Sequence, residues 1–511
     1  MKIILICPYE EVSPLGILNL ATFLEEKGHQ AFSLFLPLVR SETPAETEQV
    51  LGLIEELEPG IVGFSLMAAH YIRSAKMAGE VKQRFPRLPV VWGGVHPTLA
   101  PEECIAHADM ILRGEGEEPL LELLNRMEKG DPCHDILNLW IKKDGDRIEN
   151  PLRPLQENLD LFPFPRFNPE RTYILSRGKI HQFSKKIYQD SVWRGGQIYD
   201  IMVTRGCPHS CTYCCNSAFR KLYRGKYLRS RSIEHVISEL QYVKEQFGFV
   251  KSFKIQDDSF LINRSDDWLK SFCSQYRKKV GLNLMANLSP GQISEKRIEL
   301  LREAGLTYVQ MGLEGSDRVN REVFRRAIRK DVFLKASSTL NKYGIAAHYD
   351  VIMDNPYADD DDILEMIDTL LKVRGVFSLR VFSLTFYHNT ELYHRAVADR
   401  LIKSNSDPYQ VGAYYMVEPT YLNKLMLSVP CTPGFLVRWF AKKRSSRPAG
   451  LLLRAYYLVY VIPFFKLLRL LSGKIKVFNL LVKAHYIMNH IIGFKKDNSS
   501  ATKSRSHKGL K

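Results

Sequence analysis

Four cysteines, Cys207, Cys211, Cys214 and Cys215, fall within nine residues of the stretch VTRGCPHSCTYCCNSAF (203–219). The whole chain of 511 residues holds only nine. Cys207, Cys211 and Cys214 form C-x3-C-x2-C. Three thiolates on one tight loop suit a cubane iron–sulfur cluster, because each can bind one iron and leave a fourth iron open. A structural zinc ion usually takes four protein ligands, and no second Cys/His pair at zinc spacing lies nearby. Cys214 and Cys215 are adjacent and so do not make the C-x-x-C of a redox pair. Cys215 reads as a small apolar side chain packed under the loop. The other five, Cys7, Cys104, Cys133, Cys273 and Cys431, are scattered and odd in number. That argues against a disulfide framework and for a reducing cytosol.

A strand has to deliver such a loop, and one precedes it. From Tyr199 onward, YDIMVT, SFKIQDD, NLMANL, TYVQMGLEG, AAHYDVIMD and FSLRVFSLTF read as strands alternating with helical segments. One of those helices, SEKRIELLREAG, has Ser294 as N-cap, Ile298 and Leu301 on one face, and Gly305 as its stop. Six βα units predict a partial (β/α)6 barrel with its active site at the carboxyl ends of the strands. An earlier alternation, KIILIC, AFSLFL, GIVGFSL, PVVWGG and DMILRG, predicts a doubly wound parallel sheet with helices on both faces. Gly28 is placed as the glycine that ends its first helix. Such sheets bind ligands beyond the carboxyl ends of their strands. Glycines stand there at Gly63, Gly93-Gly94, Gly114 and Gly116, and glycine lets backbone approach a flat or phosphorylated ligand closely. No G-x-G-x-x-G follows the first strand, which argues against NAD. The fold class is α/β throughout, with expected boundaries 1–135 for the front domain, 136–195 for a linker, 196–400 for the barrel and 401–511 for a basic helical region. LDLFPFPRFNPE (159–170), rich in proline, is the core of that linker.

At 45% hydrophobic and 25% charged residues the chain has the composition of a folded globular protein, too long for a single core. The start, MKIILICPYEE, reads as an opening strand rather than a secretory leader. The net charge of +16 is not spread evenly: residues from Cys431 onward carry 17 Lys and Arg against one acid, Asp497, so the rest of the chain is balanced. Leu451 to Lys496 interleaves those cations with Leu, Phe and Tyr. Its longest uncharged run, Ala455 to Phe465, is far short of the ~20 residues that span a bilayer. The pattern is that of helices lying in a membrane interface. A helical subdomain packed on the barrel is the competing reading, and the wealth of Leu, Ile and Phe argues against a nucleic-acid surface.

C-x3-C-x-aromatic-C, with Tyr213 as the aromatic residue, resembles the signature of the radical S-adenosylmethionine (SAM) superfamily. SFKIQDDSFLIN resembles that family's second-strand segment, with Asp257 and Asp258 at the strand end. VQMGLEGSDRVN resembles its fourth-strand segment G-x-E-S-G, although the serine after Glu314 is missing. Asp354-Asn355-Pro356 departs from the family's G-x-P-x-E-T. The resemblance implies a [4Fe–4S] cluster on Cys207, Cys211 and Cys214, and SAM contacts at Tyr213, Asp257, Gly312 and Glu314. It also implies cleavage of SAM to a 5′-deoxyadenosyl radical and an electron donor such as flavodoxin or ferredoxin. PLGILNLATFLEEKGHQ, VVWGGVHPTLAPEE and ILRGEGEEPLLELL resemble the cobalamin-binding domain that precedes many radical SAM barrels. Gly16, Ser65, Gly93, Gly94, Val95, Glu115 and Gly116 are the implied cobalamin contacts. The D-x-H-x-x-G segment that provides an axial histidine is absent, and His96 in the GGVHP turn reads as structural. The expectation is therefore cobalamin with no protein histidine on the cobalt. Together these features imply methylation of an unactivated carbon in a hydrophobic or lipid-like substrate, by a cytoplasmic enzyme peripheral to the inner face of a membrane. Cyclisation, C–C coupling or rearrangement on the same scaffold is the alternative, and a cobalamin-responsive binding protein the non-enzymatic one.

Overall fold

The computed structural model describes residues 1–9, 12, 15–37, 44–143, 145–223, 227–375, 377–402 and 417–464. The chain divides into two compact units. The first gathers residues 1–260, 270–286 and 385–402, and the second gathers 261–269, 287–384 and 417–464.

In the first unit, β1 (Lys2–Cys7), β2 (Gln30–Phe35), β3 (Ile61–Ser65), β4 (Val90–Gly93) and β5 (Met110–Leu112) are the five expected front strands. They run parallel in the order β5-β4-β3-β1-β2. Ile3, Ile4, Ile6, Ile61, Val62 and Trp92 are buried, because helices on both faces leave such strands no solvent side. The first helix, Ile17–Glu26, is followed by Gly28 at φ +91°.

The stretch expected to be a linker, 136–195, contributes four strands to this sheet. β6 (Leu139–Lys143) and β7 (Asp146–Glu149) extend one edge antiparallel, and β8 (Thr172–Ser176) and β9 (Lys179–Gln182) extend the other. The sheet thus has nine strands. β7 carries only exposed or half-buried residues, and short polar edge strands give no apolar run to recognise. The proline-rich segment itself holds a single turn of 3-10 helix, Leu159–Leu161.

The later strands also form where expected. β10 (Ile198–Ile201) is followed by a ribbon of β11 (Thr204–Arg205) paired antiparallel with β12 (Arg229–Ser230). β13 (Ser252–Ile255) and β14 (Asn283–Asn287) continue in parallel beside β10 in chain order. In the second unit, β15 (Leu306–Glu314), β16 (Ala346–Met353) and β17 (Phe377–Ser383) are again parallel and in chain order. Helix Glu295–Ala304 is capped by the Ser294 hydroxyl, which accepts from Arg297 N–H, and ends at Gly305 with φ +111°. The βα repeat places every inter-strand loop at an end of its sheet.

Candidate cofactor site

The cysteine loop is delivered by β10 and the ribbon and is closed by helix Cys215–Leu222, with Cys214 as its N-cap residue. Cys214 N–H donates to Cys211 O at 3.1 Å, and the Ser217 hydroxyl donates to Cys214 O at 2.8 Å, so the last turn of the loop is continuous with the helix. From the helix, Arg220 donates to Pro208 O and to the Ser210 hydroxyl, holding the first half of the loop. Thr212 O accepts from Leu392 N–H at 2.9 Å.

Asp257, fully buried at 0% exposure, accepts with Oδ1 from Val203 N–H at 2.7 Å and Thr204 N–H at 3.1 Å. Its observed role is to fix where the chain leaves the sheet and enters the ribbon and cysteine loop. The neighbouring Asp258 carboxyl is raised by burial, an effect that a hydrogen bond with Asn216 opposes.

The thiols differ in character. Burial pushes Cys207 up to about 12. A hydrogen bond from the Cys215 thiol holds Cys214 below its ordinary value, while the same contact and burial push Cys215 well up. The helix N-terminus at Cys214 favours a thiolate there as well. Cys214 and Cys215 thus share one hydrogen bond, with Cys214 the partner favoured as thiolate. Among the described residues no three His, Cys, Asp or Glu side chains converge on a single metal ion. A cubane takes each thiolate on a different iron, so the three need not converge.

The loop is braced against the front sheet by buried charge. Arg229 of the ribbon, 3% exposed, donates to both Glu115 carboxylate oxygens at 2.7 and 3.0 Å and to Gln156 O at 2.7 Å. Arg205 pairs with Glu115 at 3.1 Å and with Glu117 at 2.6 Å. Burial pushes the Glu115 carboxyl up, but the two guanidiniums outweigh it and hold it below its ordinary value. Glu115, read from the sequence as a cobalamin contact, is engaged in this ion-pair network.

The other residues implied for cobalamin do stand at strand ends. Gly16 precedes the first helix, Ser65 and Gly93 end β3 and β4, Val95 starts helix Val95–Leu99, and Gly116 caps helix Glu117–Lys129. Gly94 has φ +102°, and a Cβ there would stand 2.8 Å from Leu66 O, so only glycine keeps the β4 exit this close to the β3 exit. These glycines leave bare backbone beyond the strands, which suits the close approach of a corrin. His96 lies deeper, 5% exposed, with its ring against Tyr71 and His388. Burial, and then His388, lower it to about 3, and burial raises Glu103. The 3.8 Å contact between them is therefore not an ion pair at neutral pH.

In the second unit, Gly312 and Glu314 lie at the carboxyl end of β15, where the register with β16 shifts. Glu314 has φ +66°, and a Cβ on Gly312 would collide with its carboxylate. A non-glycine residue in this region of backbone space is strained, and the surrounding structure has to hold it there. Ser316 donates to Asp362 at 2.6 Å. Asp354, also at positive φ, accepts from Asn423 Nδ2 at 2.6 Å and Glu418 N–H at 3.1 Å. The segment that departs from G-x-P-x-E-T thus anchors helix Tyr421–Ser428.

His70 was not singled out in the sequence. It follows β3 by five residues, and its ring stacks on Tyr9, with centroids 4.9 Å apart. The signal that exposes it is topological, its position beside the strand at which the sheet order reverses.

Comparison with known proteins agrees with this architecture. The B12 binding domain family matches residues 1–124, and the Radical SAM superfamily matches residues 201–370. An uncharacterized methyltransferase, PH0819 of Pyrococcus horikoshii, is 27% identical over 492 residues, covering 89% of this chain and 99% of its own. The anaerobic magnesium-protoporphyrin IX monomethyl ester cyclase of Synechocystis is 22% identical and covers 71% of this chain and 69% of its own. Among solved structures, the radical SAM methyltransferase TsrM from Kitasatospora setae, with cobalamin and [4Fe–4S] cluster bound, superposes with a TM-score of 0.63 at 16% identity. That match covers 78% of each chain.

Proposed function

From a chain that belongs to the radical SAM enzymes carrying an N-terminal B12 binding domain, we propose an enzyme that methylates an unactivated carbon of an amphiphilic, lipid-like substrate. The cluster supplies the electron that splits SAM into methionine and a 5′-deoxyadenosyl radical, and cobalamin supplies the methyl group. The chain's own residues hold and orient these groups. Cys207, Cys211 and Cys214 hold the cluster. Tyr213, Gly312 and Glu314 are assigned to SAM. Asp257 acts on SAM indirectly, by fixing the loop on which Tyr213 and the cysteines stand. Gly16, Ser65, Gly93, Gly94, Val95 and Gly116 are assigned to the corrin cradle. Glu115 is assigned to bracing that cradle against the ribbon. A small flavodoxin or ferredoxin is the proposed electron donor.

Methylation is favoured over ring formation by one observation. The methyltransferase relative matches over 99% of its length, and the cyclase over 69%.

The substrate proposal rests on two surfaces of the second unit. On β15 and β16, Gln310, His348 and Asp350 alternate with buried Val309, Met311, Tyr349 and Val351. There Gln310 donates to Asp350 at 2.6 Å, and His348 Nδ1 lies 2.5 Å from the Ser378 hydroxyl. Helices Gly434–Lys442 and Arg447–Tyr456 bury Val437, Phe440 and Leu453, so this part of the basic region packs on its unit, as the competing sequence reading had it. The same helices and the π-helix Tyr457–Val461 leave Trp439, Leu451 (69%), Leu452, Leu458 and Val459 (78%) exposed, and Lys442, Lys443, Arg444 and Arg454 on or beside these elements are exposed as well. Among the described residues no helix is long and apolar enough to cross a membrane. Residues 465–496 of the basic stretch lie outside the described residues. Exposed apolar side chains on elements that also carry exposed cations suit an anionic lipid surface, with roughly 1 kcal/mol per basic residue near it.

Cells with and without the gene, fed methionine deuterated at the methyl group, test the reaction. The expected gene-dependent product in lipid extracts carries a trideuteromethyl group. A gene-dependent product without that label would overturn methylation. Binding to anionic vesicles tests the surface. It should weaken at high salt and in Leu451→Asp/Leu458→Asp, and salt-independent binding or none would overturn the lipid reading.

A further inference from the structure

The first sheet changes its direction of winding at β1, with β2 on one side and β3 on the other. An open sheet of this kind binds its ligand in the crevice opened by that reversal, outside the carboxyl ends of the two strands. Two rings stand in the crevice. Tyr9 is two residues beyond β1, His70 is five beyond β3, and they stack at 4.9 Å with 29° between their planes. The Tyr9 hydroxyl is hydrogen-bonded to Ser65, the last residue of β3. Arg73, one turn into the helix that His70 precedes, donates to Pro8 O at 3.1 Å and Leu36 O at 3.0 Å. His70 is therefore fixed to the ends of β1, β2 and β3 together.

Among the described residues, His70 Nδ1 is buried without a hydrogen-bond partner. A neutral imidazole keeps a lone pair on one of its two ring nitrogens. A desolvated lone pair without a partner is unfavourable, and neutral imidazole is a good ligand for first-row transition metals. His96, by contrast, lies within its own cluster of Tyr71, Glu103 and His388.

We propose that His70 donates an axial nitrogen to the cobalt of the bound corrinoid, in place of water or the corrinoid's own nucleotide base. This revises the expectation of a cobalt without a protein histidine, and it rests on the cobalamin reading above. The sequence motif that usually provides such a ligand follows the first strand, whereas here the ligand follows the third.

The test uses the full chain loaded with cobalamin and reduced to the cob(II)alamin state, prepared with natural-abundance histidine and with ¹⁵N-histidine. Electron paramagnetic resonance should show superhyperfine splitting into three lines from one axial ¹⁴N, collapsing to two lines in the ¹⁵N-histidine protein. His70→Ala should lose the splitting and His96→Ala should keep it. A spectrum without nitrogen splitting, or with splitting that ignores the histidine label, would overturn the proposal while leaving cobalamin binding intact. Should His70→Ala fail to fold, the labelled wild-type chain still decides. A chain that retains no cobalt at all would overturn this proposal and the cobalamin reading together.

Discussion

The cysteine loop builds its centre from residues within one short segment and braces it with the helix that the same segment begins. The crevice of the first sheet draws on Tyr9 after β1, Ser65 and His70 at and after the end of β3, and Gly94 after β4, brought together by strand order. Both lie beyond the ends of parallel strands. They differ in where their organisation resides: local geometry in one, topology in the other. A local centre fails completely when one ligand is removed. A distributed cradle loses one contact at a time and is sensitive instead to whatever holds the strand exits in place, here Arg229 and Arg205 on Glu115 and Glu117 after β5.

The largest effect expected from this contrast is at the loop. Cys207→Ala, Cys211→Ala and Cys214→Ala should each abolish the cluster's charge-transfer absorbance and formation of 5′-deoxyadenosine, while Cys215→Ala retains both. Loss in Cys215→Ala with retention in Cys214→Ala would reverse the ligand assignment. Next comes the brace. Arg229→Ala removes the bidentate partner of half-buried Glu115 but leaves it Arg205, so the loss should fall short of the about 3–5 kcal/mol for breaking a fully buried pair from one side. Denaturant unfolding of the apoprotein measures it, and a loss below about 1 kcal/mol would mean that the pair does not hold the loop to the sheet.

A smaller effect follows from the same carboxylate. Glu115 is held below its ordinary value in the folded chain, so its contribution is fully present above the unfolded carboxyl's ordinary value. It is lost as pH falls through the lower folded value. Stability should therefore decline below about pH 4.5, and Glu115→Gln should flatten that part of the profile. An unchanged acid limb would remove Glu115 from the account.

The strands were legible because buried parallel strands are continuous apolar runs, and helix Glu295–Ala304 because Ser294 and Gly305 mark its ends chemically. The thiol ligands were legible because their spacing is itself the chemistry. The edge strands in 136–195 were not, since Lys142, Lys143 and Arg147 sit where a pattern of burial would have to show. Asp257 reads as a strand-end acid of the kind that meets a cofactor, and only its two backbone partners reveal its role in fixing the loop. Glu115 looks like part of a glycine-rich ligand turn until Arg205 and Arg229, about ninety and more residues later, arrive beside it. His70 carries no local mark, because strand order is not written in any one segment. The basic region mixed two signals, and its helices proved both packed and apolar on the outside.

Metal and corrinoid content of the anaerobically reconstituted full chain, wild type beside Cys214→Ala, tests the central claim most directly. The wild type should hold one [4Fe–4S] cluster and one corrinoid per chain, and Cys214→Ala should lose the iron and keep the corrinoid. Zinc in place of iron, or a wild-type chain without any corrinoid, would contradict the account of two cofactors held by two separately built sites.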